Sequence, residues 1–120
     1  MSDSIEIKGI RAFGYHGVFD HERENGQEFL VDISLNLDLR KAAQSDAVED
    51  TVDYGSVSNL VLGAIVGPPV SLIETLASQI ADLLLSNFKL IDSVVVVVHK
   101  PHAPVEVTFA DIAIRIERSR

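Results

Sequence analysis

Hydrophobic and polar positions alternate most cleanly in the stretch EFLVDISLNLDLR. Phe29, Val31, Ile33, Leu35, Leu37 and Leu39 fall on one side of it, and Asp32, Ser34, Asn36, Asp38 and Arg40 on the other. A period of two predicts a strand with one face on a core and the other in water. Ile5, Ile7 and Ile10 open an earlier strand whose parity slips at Gly9, which predicts a bulge there. Between the two, GYHGVFDHERENGQ reads as a turn-rich loop. The period then changes. Val57, Leu60, Val61, Ala64 and Ile65 are spaced for a helix that stops at GPP. Ser71 as N-cap, with Glu74 at the capping-box position, predicts the start of a second helix. Its apolar stripe is Ile73, Leu76, Ala77, Ile80, Ala81 and Leu84. The five valines at 94–98 predict a strand buried on both sides. A last strand is expected through Val107, Phe109, Ile112, Ile114 and Ile116, with a bulge near residues 110–111 where its parity slips.

The resulting order, ββααββ, predicts an α+β fold with a mainly antiparallel sheet, built as one domain over residues 1–120. Two helices can cover only one face of such a sheet. The other face is polar along the second strand, and four strands leave two edges open. Open edges are a hazard unless they are paired. Pairing them between subunits would close a barrel with helices outside and polar side chains inside, so the pattern itself predicts a homo-oligomer.

Composition narrows the function. A formal net charge of −8 argues against nucleic acid and anionic membranes as partners, since both need a basic surface. The chain has no cysteine, which excludes disulfides and thiolate metal sites and makes a reducing cytoplasm the expected location. The first residues, MSDSIEIKG, carry neither a basic n-region nor an apolar h-region, so no signal peptide is expected. The apolar stretch from Leu60 to Ile73 is broken by glycine and proline and is too short to span a bilayer.

Several residues admit two readings. Lys100, one of only four lysines, ends the valine strand and is followed by Pro101. It is either a lysine snorkelling at a strand end or a desolvated amine able to move a proton or attack a carbonyl. Glu74 is either a helix cap or a carboxylate that accepts two N–H groups from a heterocycle. Asp53 in DTVDYG could cap the helix that follows, and Tyr54 could pack or offer a phenol to a substrate. Glu22, among His16, Asp20, His21, Arg23 and Glu24, lies in a solvated loop, but loops often carry function. The histidines His16, His21, His99 and His102 match no zinc-ligand spacing, so no metal is expected. There is no glycine-rich phosphate loop and no nucleophile-elbow motif.

Taken in order, GYHGV, Glu22, GQEFLVDISLNLDL, DTVDYG, LIETLA and HKPHAP resemble the dihydroneopterin aldolases, over about residues 5–118. The details DHER, IVGPP and VHKP are most similar to actinobacterial members. The resemblance implies the tunnelling fold, in which four subunits join their sheets into a barrel and two rings commonly stack into an octamer. It implies a cofactor-free retro-aldol cleavage of a pterin substrate at sites lying between subunits. Glu74 would then anchor the pterin, with Leu72 and Ile73 lining it and Thr51 and Val52 contacting it from the other subunit, partly through backbone. Glu22 would hold the hydroxyls of the substrate tail, and Tyr54 and Lys100 would handle protons. Rival readings are a pterin epimerase, a zinc-dependent relative such as 6-pyruvoyl-tetrahydropterin synthase, and a pterin-binding oligomer without catalysis.

Overall fold

A computed structural model describes residues 3–120. Its elements are β1 (Ser4–Gly14), α1 (Asp20–Asn25), β2 (Gln27–Asn36), α2 (Arg40–Ser45), a 3₁₀ turn (Val48–Asp50), α3 (Tyr54–Val66), α4 (Ile73–Asn87), β3 (Ser93–His99) and β4 (Ala113–Ser119). The strands form one antiparallel sheet in the order β1-β2-β3-β4, the expected α+β arrangement. β1 and β4 are its edges.

The alternation in β2 translates directly into packing. Phe29, Val31, Ile33 and Leu35 are buried, and the register sets Val31, Ile33 and Leu35 opposite Val98, Val96 and Val94. The central strands thus share one continuous apolar face. Each fully buried Val, Leu or Ile contributes about 1.5–3 kcal/mol. α3 lays Val57, Val61 and Ile65 on that face, and α4 adds Leu76, Ala77, Ile80, Ala81 and Leu84. The bulge at Gly9 is present: pairing shifts between Ile7 and Ile10, so the core side passes from odd to even positions without turning β1 over. Gly9 has φ of 71°, which its lack of a Cβ permits.

Five expectations are corrected. The loop before β2 contains α1. The strand expected to run through Arg40 stops at Asn36, before Leu37 and Leu39, and residues 40–50 hold α2 and the 3₁₀ turn. Ser71 is not the N-cap of α4; Leu72 holds that position without a side-chain bond, and Glu74 is the second helical residue, one short of the capping-box position. The valine strand is buried on one side only, because Val95 and Val97 face away from the helices and are half-buried. β4 begins at Ala113, since β3 ends opposite it at His99 and nothing remains for Val107 or Phe109 to pair with. The parity slip marks the end of a loop, not a bulge.

His16 locks the segment that leads into α4. It is fully buried, edge-on to Phe29. Its Nε2–H donates to the Ile65 carbonyl at 2.8 Å, and its Nδ1 accepts the Val70 N–H at 3.0 Å. Those partners require the neutral ring. Burial pushes its pKa below the usual imidazole value, against the pull of the backbone acceptors. A depressed folded pKa means that this stability is complete above the unfolded value of about 6.5 and is lost as pH falls below it. His16→Asn should therefore cost on the order of 3 kcal/mol at neutral pH, by orphaning two buried backbone groups. The gap to the parent in denaturant unfolding should narrow toward pH 5. A gap independent of pH would contradict this reading.

Candidate active site

The chain turns sharply after β3. The Lys100 N–H donates to the Ile112 carbonyl at 2.7 Å, and Pro101 follows. This fixes the root of the Lys100 side chain, which runs inward and is only 13% exposed. Its Nζ stands 2.6 Å from Glu22 Oε2, and the Glu22 side chain is 3% exposed. Lys100 therefore does not snorkel into solvent, and its partner is a carboxylate from α1.

Glu22 is the third residue of α1. Its Oε1 accepts the N–H of Phe19, the N-cap of that helix, at 3.2 Å. Its Oε2 accepts from Gln27 Nε2 at 2.8 Å as well as from Lys100. The capping service expected of Glu74 is performed here by Glu22. Burial is the largest influence on the Glu22 carboxyl and pushes its pKa up, but the bonds from Lys100, Gln27 and Phe19 together outweigh it. The net shift is downward, and the group is an anion at neutral pH. Gly17 is needed against it: a Cβ there would lie 2.5 Å from the carboxylate. Arg23 braces the same corner, donating from Nε to the Gly17 carbonyl and from Nη2 to Ser71 Oγ.

The pair forms one side of a cleft of about 240 Å³. Glu74, at the start of α4, stands at its rim, and Leu72 and Ile73 give it an apolar wall with Phe19. A carboxylate in the first turn is favoured by the helix dipole. The cleft therefore joins an apolar slot, a carboxylate able to accept two N–H bonds, and a buried lysine–carboxylate pair. Five of the expected site residues meet here: Glu22, Leu72, Ile73, Glu74 and Lys100. The other three do not line it. Tyr54 opens α3 and is 67% exposed. Thr51 is half-buried, and Val52 is in the chain's own core, which leaves only its backbone for a ligand. Asp53 caps α3 through the Gly55 N–H, as its capping reading has it. Gln27 and Gly17 were not singled out from sequence; both meet Glu22 through the short turn that α1 makes between them.

Larger hollows lie elsewhere. One of about 560 Å³ between α3 and α4 holds no ionisable side chain and so offers no acid–base chemistry. Among the described residues no helix is long and apolar enough to cross a membrane.

Known proteins share this chain's sequence and fold. The family model for dihydroneopterin aldolase matches residues 5–117. The chain is 48% identical to the dihydroneopterin aldolase of Streptomyces coelicolor and 38% identical to that of Bacillus subtilis, in each case over 98% of both chains. Its fold superposes on the crystal structure of E. coli dihydroneopterin aldolase in complex with neopterin with a TM-score of 0.89, at 32% identity, covering 98% of this chain and 99% of that one.

Proposed function

The chain belongs to the dihydroneopterin aldolase family, and from that footing we propose that the cleft of Glu22, Glu74 and Lys100 is half of a site shared between subunits. The enzyme is an aldehyde-lyase of folate biosynthesis, and it binds a pterin-type small molecule. Its reaction converts 7,8-dihydroneopterin into 6-hydroxymethyl-7,8-dihydropterin and glycolaldehyde.

The observation that carries the assignment of roles is the 2.6 Å contact between Lys100 and Glu22 at the inner side of the cleft. Cleaving the bond between C1′ and C2′ of the tail releases an electron pair that needs a sink. Dihydropterin already holds a C=N bond between N5 and C6, and a proton on N5 makes it one. The Lys100 ammonium manages that proton, directly or through water. Glu22 holds the tail hydroxyls, and a base takes the proton from the hydroxyl next to the breaking bond. Glycolaldehyde leaves, and the enamine that remains is protonated with help from Tyr54 of a neighbouring subunit. Glu74 accepts two parallel N–H bonds from the 2-amino-pyrimidinone edge. Leu72 and Ile73 flank the ring, and Thr51 and Val52 complete it from the neighbour, Val52 by its backbone.

Three features support a shared site. A cleft of about 240 Å³ is smaller than the roughly 300–1,000 Å³ of ordinary small-molecule sites. Among the described residues the sheet leaves both edges unpaired and one face uncovered by helices. The radius of gyration, 15.5 Å, exceeds the roughly 14 Å of a compact chain of this length. Edge pairing into a barrel of four subunits, stacked as an octamer, would answer all three.

Incubation with 7,8-dihydroneopterin and excess EDTA, without oxygen, tests the reaction. Equal amounts of glycolaldehyde and hydroxymethyl pterin are expected. A substrate epimerised at C2′ and nothing more would make the protein an epimerase. Bound but unchanged pterin would leave a binding oligomer.

A further inference from the structure

His99 ends β3 on the sheet face away from the helices. Both of its ring nitrogens meet carboxylates: Nε2 is 2.7 Å from Asp32 Oδ2, and Nδ1 is 2.6 Å from Asp111 Oδ2. Asp32 is held in turn, since its Oδ1 accepts the N–H of the Gly9 bulge at 2.7 Å. One chain of bonds thus runs from β1 through β2 and β3 to Asp111, just before β4. Its last bond ties His99, just before the segment 100–112, to Asp111 near that segment's end. That segment carries Lys100 at its start and contributes Val105 and Ile112 to the cleft.

We propose that the Asp32–His99–Asp111 cluster is a charge clamp that holds the 100–112 segment closed and so positions Lys100 for turnover. The inference rests on the role proposed above for Lys100. His99 is a positioning residue here, because it acts through its neighbour and not on the substrate.

The chemistry of the clamp is selective. An ionised carboxylate only accepts, so both contacts are satisfied together only by the imidazolium, which donates from both nitrogens. A neutral ring would turn a lone pair toward one of the two carboxylates. Asp111 links the cluster to the far side of the turn, and the backbone bond from Lys100 N–H to Ile112 lies next to it. Among the described residues the other charged groups around His99 are Lys8 of β1, which lines the same hollow of about 470 Å³, and Glu6 of β1 and Arg115 of β4, which line the adjoining one with Lys8 and Asp32. Lys8 favours the carboxylate form of Asp32 and is itself 3.4 Å from Glu6. The Asp32 and Asp111 carboxylates stand within hydrogen-bond distance of His99. Burial pulls the His99 pKa down, but the bonds to Asp111 and Asp32 outweigh it and leave it raised. With a raised folded pKa, the clamp is fully made below the usual imidazole value and opens as pH rises through the folded one. The nitrogens point to different aspartates, so the cluster is not a ligand set for a metal ion.

The test uses Asp111→Asn and His99→Asn in the full chain. Each should lower kcat by roughly 10- to 100-fold, with KM within about threefold, because a small misplacement of a catalytic group costs rate more than affinity. The alkaline limb of kcat should move to lower pH in Asp111→Asn, where His99 keeps one carboxylate, and should vanish in His99→Asn. Amide exchange at Lys100 should speed up in both. Parental kcat, pH profile and exchange in both variants would overturn the clamp. Faster exchange with unchanged kcat would overturn its part in turnover. Intact turnover in Lys100→Ala would instead strike the role given to Lys100, and the exchange data separate that failure from a failed clamp.

Discussion

Lys100→Ala is expected to lower kcat for 7,8-dihydroneopterin by about 10²–10⁴-fold, the usual range for a lost general acid, while pterin affinity moves by less than about tenfold. The argument is geometric. Among the described residues Lys100 is the only lysine or arginine that lines the cleft. In the proposed assignment the pterin edge is held at the other end, by Glu74. Removing the amine therefore takes away the proton delivered to N5 and leaves the anchor. The variant also strips Glu22 of its strongest partner. Glu22 keeps the bonds from Gln27 and from the Phe19 N–H, so the corner stays built. Burial, already the largest influence on that carboxyl, then meets less opposition, and its pKa must rise. A stability loss on the order of 3 kcal/mol is expected from the unpaired buried charge, to be followed by denaturant unfolding beside the kinetics. Lys100→Arg should restore stability but little turnover, because a guanidinium does not give up its proton. A variant that loses affinity and keeps turnover would reverse the assignment.

Glu74→Ala is expected to do the opposite. KM and Kd for the pterin should rise by roughly 10²-fold, while kcat at saturation stays within about threefold. Two charge-assisted bonds to the 2-amino-pyrimidinone edge are lost, each worth about 1.5–3 kcal/mol before water competes for the exposed rim. Both bonds are made equally in ground and transition states, so they set binding and not rate. Glu74→Gln, which keeps one acceptor, should fall between. The helix itself loses only the dipole contribution of an acid in its first turn, about 0.3–1 kcal/mol. Circular dichroism and unfolding will show whether α4 is intact. A collapse of kcat at unchanged KM would place Glu74 in the chemistry instead of the anchor.

The parts of the fold that were legible are those where burial imposes a period. The alternation of β2, the stripe of α4 and the parity break at Gly9 all follow from one face meeting a core. α1 and α2 are six residues each and bury too little to write a period, so nothing marked them. The five valines misled for a related reason. Both faces of β3 are apolar, but in the single chain only the side of Val94, Val96 and Val98 is covered. Val107 and Phe109 read as strand by composition, yet no strand lies beyond His99 to pair with them. At the site, each residue alone left two readings open. Glu22 and Lys100 are far apart in sequence, and no local pattern predicts that they touch. The family resemblance grouped them, and the fold brings Glu22 and Lys100 to 2.6 Å. The same resemblance grouped Tyr54 with them, and in one chain Tyr54 lines a different surface.

That last residue decides the central claim, that the cleft is half a site. Lys100→Ala and Tyr54→Phe chains, each nearly inactive alone, should be mixed in equal amounts, unfolded and reassembled together. If a site draws Lys100 from one chain and Tyr54 from another, random assembly makes about one site in four complete. Activity should recover to about a quarter of the parent. Mixed assemblies as inactive as their components would mean that both residues act within one chain, and the shared-site account would be wrong.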